Sequence, residues 1–550
     1  MEPARTVSET QHRRRTCRRA AFGYGFSLAQ NPVWSLDQVL LATGGRLWGD
    51  RTEAVFRLVS SDSRTIEAGD LFVALRGEKF DGHRFVAEVV RKGAAGLVLE
   101  SPPEEPLPVP VVLVADTLQA LGDLAHYRRM QMKGLKVLAI TGSSGKTTVK
   151  EMTAAIMEQG RGRQRVLKTR GNLNNLIGLP LSLLAVDAHH QYAVLEMGMN
   201  RFGEIARMAE IAQPDIACIT NVQEAHLAGL TDVAGVARAK GELFHGMRPW
   251  TTLVVNRDDP RVWRLAGKLP QRRITFGRKP GTTVRATRLR SRGEEGMSFT
   301  LTIADVTDYG GHGVSGHRVP QVVASGPAPR TSVRKPGRSP QDAVPCDRLL
   351  ADGWQGRVHI AALGEHNVQN ALAAAALALA AGVSPAEIVA GLEGYRPFAK
   401  RLRIQPFVAG LKLIDDSYNA NPSSMLAALE TVHNLRRNRK VVAILGDMLE
   451  LGSHGPAAHR FIGEQVARLG FDYLLTVGEF AGETARAARR AGMDAGQVRA
   501  CLDKKEVGAW LLEATAKGRL KNDDLVLLKA SRGMQMETII EALHHGREQR

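Results

Sequence analysis

One stretch restricts this chain more than any other: Lys136-Val-Leu-Ala-Ile-Thr-Gly-Ser-Ser-Gly-Lys-Thr-Thr148, an apolar run that breaks into a glycine turn and then Lys-Thr-Thr ahead of a helical pattern. That order predicts a strand, a phosphate loop and a helix starting near Thr147. Gly142 and Gly145 let the backbone turn tightly, so the N–H groups around Ser143 and Ser144 can point at phosphate oxygens. The helix adds the positive end of its dipole. Lys146 reaches the outer phosphates as a point charge, the Thr147 hydroxyl is placed to ligate a nucleotide's Mg²⁺, and Thr148 closes the motif. Ile140 stands where the commoner pattern has its first glycine, so this is a shorter Gly-x-x-Gly-Lys-Thr-Thr form of the motif. A chain so built binds ATP or GTP. A plain Gly-Ser turn with an exposed lysine is the alternative, and the flanking strand and helix argue against it.

At 550 residues with 44% apolar content the chain can fill several cores, about three on a prior of roughly 150 residues each. Its net charge of +18 would suggest nucleic acid if a folded face carried it. Residues 1–30 hold six arginines against Glu2 and Glu9, and residues 309–341 hold four arginines and Lys335 with no acid. About half of the excess thus sits in segments that read as unfolded, and no nucleic-acid partner is expected. Four cysteines (Cys17, Cys218, Cys346, Cys501) lie far apart, without metal spacing, which fits a reducing cytoplasm. The most apolar run, 371–383, is too short to cross a bilayer, which takes about 20 residues. The arginine-rich start lacks the apolar segment of a secretory signal. No membrane insertion is expected.

Taken in order, the pattern predicts an extension over 1–31 and a small α/β domain over 32–128, with strands 71–75 and 96–99 around a helix 85–92. Ser63, Arg64, Asp81 and His83 fall at its strand ends, where they could hold a nucleotide-sugar head group; turn and cap roles explain Asp62 and Asp81 equally well. A doubly wound sheet is expected over 129–395, with strands 193–195, 216–219 and 253–255 each running into a polar residue. Ligands of such sheets sit beyond the carboxyl ends of the strands, so Glu196 and His226 share a rim with the phosphate loop. Glu196 is a second Mg²⁺ ligand by the preference of that hard ion for a carboxylate or two. Between 305 and 354 Gly, Ser, Pro, His and Arg predominate, predicting a disordered insertion with order resuming at Val358. An Ala-rich helix is predicted over 371–381. A third, Rossmann-like α/β unit is predicted over 396–550, with strands 411–414, 441–445, 473–477 and 525–528, each followed by a polar turn.

Eight ordered stretches together resemble the Mur ligase family of bacterial cell-wall synthesis. They are Thr141-Gly-Ser-Ser-Gly-Lys-Thr-Thr-Val-Lys-Glu-Met152, Gly171-Asn-Leu-Asn-Asn-Leu-Ile-Gly-Leu-Pro180, Glu196-Met-Gly-Met-Asn200, Ala239-Lys-Gly-Glu242, Gly364-Glu-His-Asn367, Asp415-Asp-Ser-Tyr-Asn-Ala-Asn-Pro422, Gly446-Asp-Met-Leu-Glu-Leu-Gly452 and Lys529-Ala-Ser-Arg532. The Asp415–Pro422 stretch is similar to the type that adds D-alanyl-D-alanine to UDP-N-acetylmuramoyl-tripeptide.

The resemblance implies three α/β domains and three chemical steps. The tripeptide carboxylate attacks the γ-phosphoryl of ATP, the amine of D-Ala-D-Ala attacks the acyl phosphate, and phosphate leaves. It implies Lys146, with Mg²⁺ on Thr147 and Glu196, at the phosphates, and a second Mg²⁺ on His226 and a carbamylated Lys240. Asn174, Asn175, His366 and Asn367 match positions near the nucleotide and its base. Arg401 matches a phosphate-contacting arginine, although Lys400 precedes it where relatives carry glycine. Asp416, Asn419 and Asn421 would frame the ATP from the C-terminal domain, and Lys529, Ser531 and Arg532 would meet the dipeptide carboxylate. Other amide ligases, such as folate polyglutamate or cyanophycin types, relatives taking D-Ala-D-lactate or D-Ala-D-Ser, and a non-catalytic ATP switch remain as alternatives.

Overall fold

The computed structural model describes residues 33–50, 52–77, 80–225, 227–304, 353–398 and 400–548. The predicted extension over 1–31, His226 and nearly all of the predicted insertion lie outside the described residues.

Beside a two-stranded ribbon of Trp34–Ser35 with Val55–Phe56, three larger sheets succeed one another among the described residues. The first has five strands in the spatial order Arg46–Trp48, Val111–Leu113, Gly96–Leu99, Leu71–Val73, Val59–Ser60, parallel except for the first. Leu71, Phe72 and Val73 are all buried, as expected of a strand covered on both faces. The predicted strand 71–75 ends at Val73, and the predicted helix 85–92 is the helix Val86–Arg91, entered through the short 3₁₀ turn Gly82–Phe85.

The second sheet has nine strands. Lys136–Thr141 lies inside it, between Tyr192–Glu196 and Ile216–Ile219, and parallel pairing continues outward through Thr252–Asn256, Arg273–Gly277 and Val284–Ser291. Residues of the central strand alternate between two cores: Val137 and Ala139 join one, Leu138 and Ile140 the other. Helices therefore cover both faces. Lys146–Arg161 packs with Glu365–Ala380 and Pro385–Gly394 on one face, while Thr117–Gln131, Gly178–Leu184, Glu204–Ala212 and Val233–His245 lie on the other. Alanines along Glu365–Ala380 are almost all buried, and their small side chains let this helix lie close to the phosphate-loop helix.

Two features depart from expectation. The sheet ends in antiparallel strands Met297–Ile303 and Trp354–Ile360, so order resumes at Trp354 rather than Val358. The signal is hidden because Gln355 and Arg357 alternate with inward residues on a half-exposed edge strand. The Ala-rich helix starts at Glu365, six residues before the predicted position. Gly364, at φ +84°, caps it, and its polar first turn masks the helical period.

The third sheet has six strands in the order Arg403–Pro406, Lys412–Asp416, Leu525–Lys529, Val441–Gly446, Tyr473–Val477, Val498–Cys501, parallel except for the first. The four predicted strands are all present; the two edge strands are additional.

Candidate active site

A cavity of about 810 Å³ lies between the second and third sheets. Strand register builds its floor. Glu196 pairs opposite Ile140 and Ile219 opposite Thr141, so Glu196, Asn221 and the phosphate loop leave the sheet on one rim. Gly142 passes so near Thr220 that a β-carbon would stand 1.8 Å from its Oγ1, and Gly145, at φ +79°, would collide with Asn370. The loop is held from the neighbouring strand. Ser143 N donates to Asn221 O at 3.0 Å, Ser144 N donates to Asn221 Oδ1 at 2.9 Å, and the serine hydroxyls donate to Gln223 O at 3.0 Å and Gln223 Oε1 at 2.9 Å. Asn221 was expected only as a strand-end polar residue; Gln223 carried no signal.

Two of the four predicted metal ligands meet, Thr147 and Glu196, while Lys240 does not join them and His226 lies outside the described residues. Thr147 Oγ1 donates to Glu196 Oε2 at 2.9 Å, and Asn174 Nδ2 donates to Glu196 Oε1 at 2.8 Å. Arg401, from the segment leading into the third sheet, donates from Nη2 to Thr147 Oγ1 at 2.8 Å and stacks 4.0 Å above the ring of Tyr418. Lys400, the departure from the expected Gly-Arg pair, occupies the left-handed backbone, φ +65°, that a glycine would adopt without cost. Arg401 Nε is buried without a partner, an orphan donor suited to an anion. Lys146 Nζ rests on Gly142 O at 2.8 Å, and burial holds its amine below the usual lysine range, against the pull of Glu196.

Lys150, unforeseen although it lies within the quoted motif, is 1% exposed. Its Nζ donates to Thr169 O at 2.8 Å and stands 3.9 Å from Glu196 Oε2. Lys240 is equally buried, lies outside the cavity wall and has no partner among the described residues. Burial, reinforced by the charge of Lys146, depresses its amine far below the usual range.

Asn175, His366, Asn367 and Thr148 also line the cavity. Asn175 Oδ1 also accepts from Gly178 N at 2.8 Å, entering the next helix, and Asn367 Nδ2 donates to Leu363 O at 2.7 Å. Burial pushes the His366 imidazole down to about 4.

From the third sheet, Asp416, Asn419, Asn421, Lys529 and Arg532 reach the cavity. Asn421 caps the helix Pro422–Leu435 and sends Nδ2 to Ser143 O at 3.4 Å, touching the phosphate loop. Lys529 is buried, bonded to Asp416 Oδ2 at 2.5 Å and Asn419 O at 3.0 Å. Ser531 does not line the cavity; its hydroxyl accepts from Leu449 N at 2.9 Å and contacts Ala420 O, joining two loops.

Ser63, Arg64, Asp81 and His83 lie away from this cavity. Arg64 forks onto Asp62, Ser63 O accepts Lys92 Nζ at 2.7 Å, and Asp81 caps the turn at Gly82 while binding His83 Nδ1 at 2.7 Å. The turn-and-cap roles weighed for Asp62 and Asp81 are thus real.

Magnesium suits the oxygen donors of Thr147 and Glu196, which leave room for phosphate and water as further ligands. Among the described residues no group of three His, Cys, Asp or Glu could hold a metal without such help.

Comparison with known proteins agrees with this architecture. Residues 55–129 match the Mur ligase family catalytic domain, 140–314 the Mur ligase middle domain and 400–532 the Mur ligase glutamate ligase domain. A UDP-N-acetylmuramoyl-tripeptide–D-alanyl-D-alanine ligase of Bacillus subtilis is 34% identical over 493 residues, spanning 89% of this chain and 94% of its own length. The enzyme of the same name in Escherichia coli is 34% identical over 516 residues, spanning 92% and 98%. A crystal structure of MurF from Acinetobacter baumannii superposes with a TM-score of 0.77 at 34% identity, covering 94% of this chain and all of that one. The chain belongs to the Mur ligase family.

Proposed function

We propose that this protein is an ATP-dependent ligase that joins D-alanyl-D-alanine to UDP-N-acetylmuramoyl-tripeptide, forming the pentapeptide precursor of peptidoglycan in the cytoplasm. The observation that carries the reading is the convergence of Lys146, Thr147 and Glu196 from one sheet with Arg401 from the segment entering the next. The like-named relatives at 34% identity support the choice of substrates. Among the described residues no helix is long and apolar enough to cross a membrane.

A carboxylate is a poor electrophile, so the chemistry must first give it a leaving group. The terminal carboxylate of the tripeptide attacks the γ-phosphorus of ATP, and ADP departs with the electrons of the broken P–O bond. Two anions must meet, and the cations answer that need: Lys146 and the orphan Nε of Arg401 would face the phosphates. The N–H groups of Ser143 and Ser144, expected to point at phosphate, are instead held by Asn221, which leaves the N-terminal turn of the helix Lys146–Arg161 to supply backbone donors. The free amine of D-Ala-D-Ala then attacks the acyl carbon, loses a proton, and inorganic phosphate leaves as the amide forms. Thr147 and Glu196 would hold one Mg²⁺, and His226 with Lys240 a second, to neutralise phosphate charge. A neutral amine is the form of lysine that takes up carbon dioxide, and burial, which depresses the Lys240 amine, would favour that form. The nucleotide-sugar end of the substrate is assigned to the first sheet, at Ser63, Arg64, Asp81 and His83, and the dipeptide carboxylate to Arg532, with Lys529 and Ser531 fixing the surrounding loops.

ADP formation across a matrix of UDP-peptides and amines tests the reading. Turnover is expected only with ATP, UDP-N-acetylmuramoyl-tripeptide and D-Ala-D-Ala together. Equal ADP release without the amine would indicate a nucleotide switch, and preference for glutamate, D-Ala-D-lactate or D-Ala-D-Ser would reassign the acceptor.

A further inference from the structure

Behind the cavity, at the start of the C-terminal helix Glu537–Glu548, one carboxylate oxygen serves two cations. Lys400 Nζ donates to Glu537 Oε1 at 2.8 Å, and Arg532 Nη1 donates to the same oxygen. The other oxygen, Oε2, is buried with no partner. Glu537 is only 13% exposed in its side chain and its pair with Lys400 is half-buried, whereas Arg532 stays open to solvent; an unsatisfied buried carboxylate oxygen is costly to keep.

Both cations lead to the site. Lys400 immediately precedes Arg401, and the peptide around that arginine is strained on either side, with Lys400 at φ +65° and Leu402 at φ +49°. Such a peg keeps its shape only if its neighbours hold it. Tyr418 N donates to Lys400 O at 3.3 Å, Leu402 N donates to Asp416 Oδ1 at 3.2 Å, and the Lys400 side chain is anchored by Glu537. On the other arm, Arg532 itself lines the cavity.

We propose that Glu537 is a positioning residue for the ligation reaction: by one oxygen it sets Arg401, through Lys400, against the transferred phosphate, and holds Arg532 for the carboxylate of the incoming dipeptide. Glu537 touches neither substrate. The inference rests on the proposed ligase reading, which assigns those tasks to the two arginines. Sequence gave no hint of it, because Glu537 is 137 residues from Lys400 and stands outside the quoted motifs.

Steady-state kinetics of the full chain, varying each of the three substrates, test it. Glu537→Gln keeps the size and removes the charge. It is expected to lower kcat and to raise KM for D-Ala-D-Ala, each about tenfold, the scale of one charge-assisted hydrogen bond. KM for the UDP-tripeptide should stay within about twofold. Lys400→Met cuts only the first arm and is expected to lower kcat while KM for D-Ala-D-Ala stays put. Glu537→Asp, which keeps the charge, should recover part of both losses. Unchanged kcat and dipeptide KM in Glu537→Gln would overturn the proposal. So would a Lys400→Met variant that shifts all three KM values alike, the mark of a merely structural pair. If circular dichroism shows Glu537→Gln unfolded, Lys400→Met decides alone, and parental kcat there refutes the coupling. Failure of the parent to consume D-Ala-D-Ala would refute the ligase reading itself, and the assignment of Glu537 with it.

Discussion

Thr147 uses its hydroxyl twice, donating to Glu196 and accepting from Arg401. A divalent cation on the remaining lone pair of Thr147 would therefore sit against a guanidinium, and Lys146 and Lys150 add positive charge nearby. Free Mn²⁺, followed by electron paramagnetic resonance, is expected to bind the nucleotide-free protein weakly. Arg401→Ala should bind it at least about tenfold more tightly while losing turnover, since removing one nearby charge is worth roughly 1–2 kcal/mol. Equal binding by both proteins would show that Arg401 does not compete for the position. His366 gives a second prediction. Its imidazole stays neutral in the folded protein down to about pH 4, against an ordinary value of 6.5. Between those values only the unfolded chain takes up the proton, so stability is full above 6.5 and falls as the pH drops toward 4. Thermal melts of the nucleotide-free protein should show that decline, and His366→Gln should lack this component. At this scale the motif residues were legible because phosphate chemistry fixes their type and spacing. The roles of Tyr418, although it lies inside a quoted stretch, and of Glu537 were not, because only the folded chain brings them to Arg401 and Lys400.

Among the elements, the helix Pro422–Leu435 links stability to the site through its cap. Asn421 Oδ1 accepts from Ser424 N at 2.8 Å, while its Nδ2 reaches Ser143 O. Asn421→Ala should cost about 1 kcal/mol of stability and raise KM for ATP. Asn421→Asp should keep the cap yet still raise KM, having lost the donor; ATP binding equal to the parent in both would deny the loop contact any role. The edge hairpin makes the other prediction at this scale. Ile303 and Trp354 are paired directly across antiparallel strands, so the chain leaves and re-enters the sheet at one place. Replacing residues 306–351 by a short Gly-Ser turn should leave melting temperature and ligation close to the parent, because closing a shorter loop between paired ends costs little entropy. Loss of folding would show that those residues support the sheet. Most interior parallel strands were read from continuous apolar runs ending in polar residues, but Val111–Leu113, Arg273–Gly277 and Val284–Ser291, also interior, were not. The edges were missed because a half-exposed strand, such as Trp354–Ile360, carries no such run.

Across the whole molecule, a parallel sheet can present a row of strand ends but not close over what they bind. The third sheet supplies the missing wall, and Arg401, Asn421, Lys529 and Arg532 meet the phosphate-loop side only where the two units face each other. Three α/β units were legible from the alternation of strand and helix patterns; their facing surfaces were not, since no local pattern encodes an interdomain contact. The first unit's Arg64, Asp81 and His83 show the same limit, for sequence placed them at strand ends and the structure shows them bonded locally, away from the shared cavity. Everything in the account turns on the tripeptide carboxylate being phosphorylated before the amine arrives. Labelling both oxygens of that carboxylate with ¹⁸O and analysing the released phosphate by mass spectrometry tests this directly. Transfer of one ¹⁸O atom into each phosphate formed is the predicted result. Phosphate free of label, with amide product still accumulating, would contradict it.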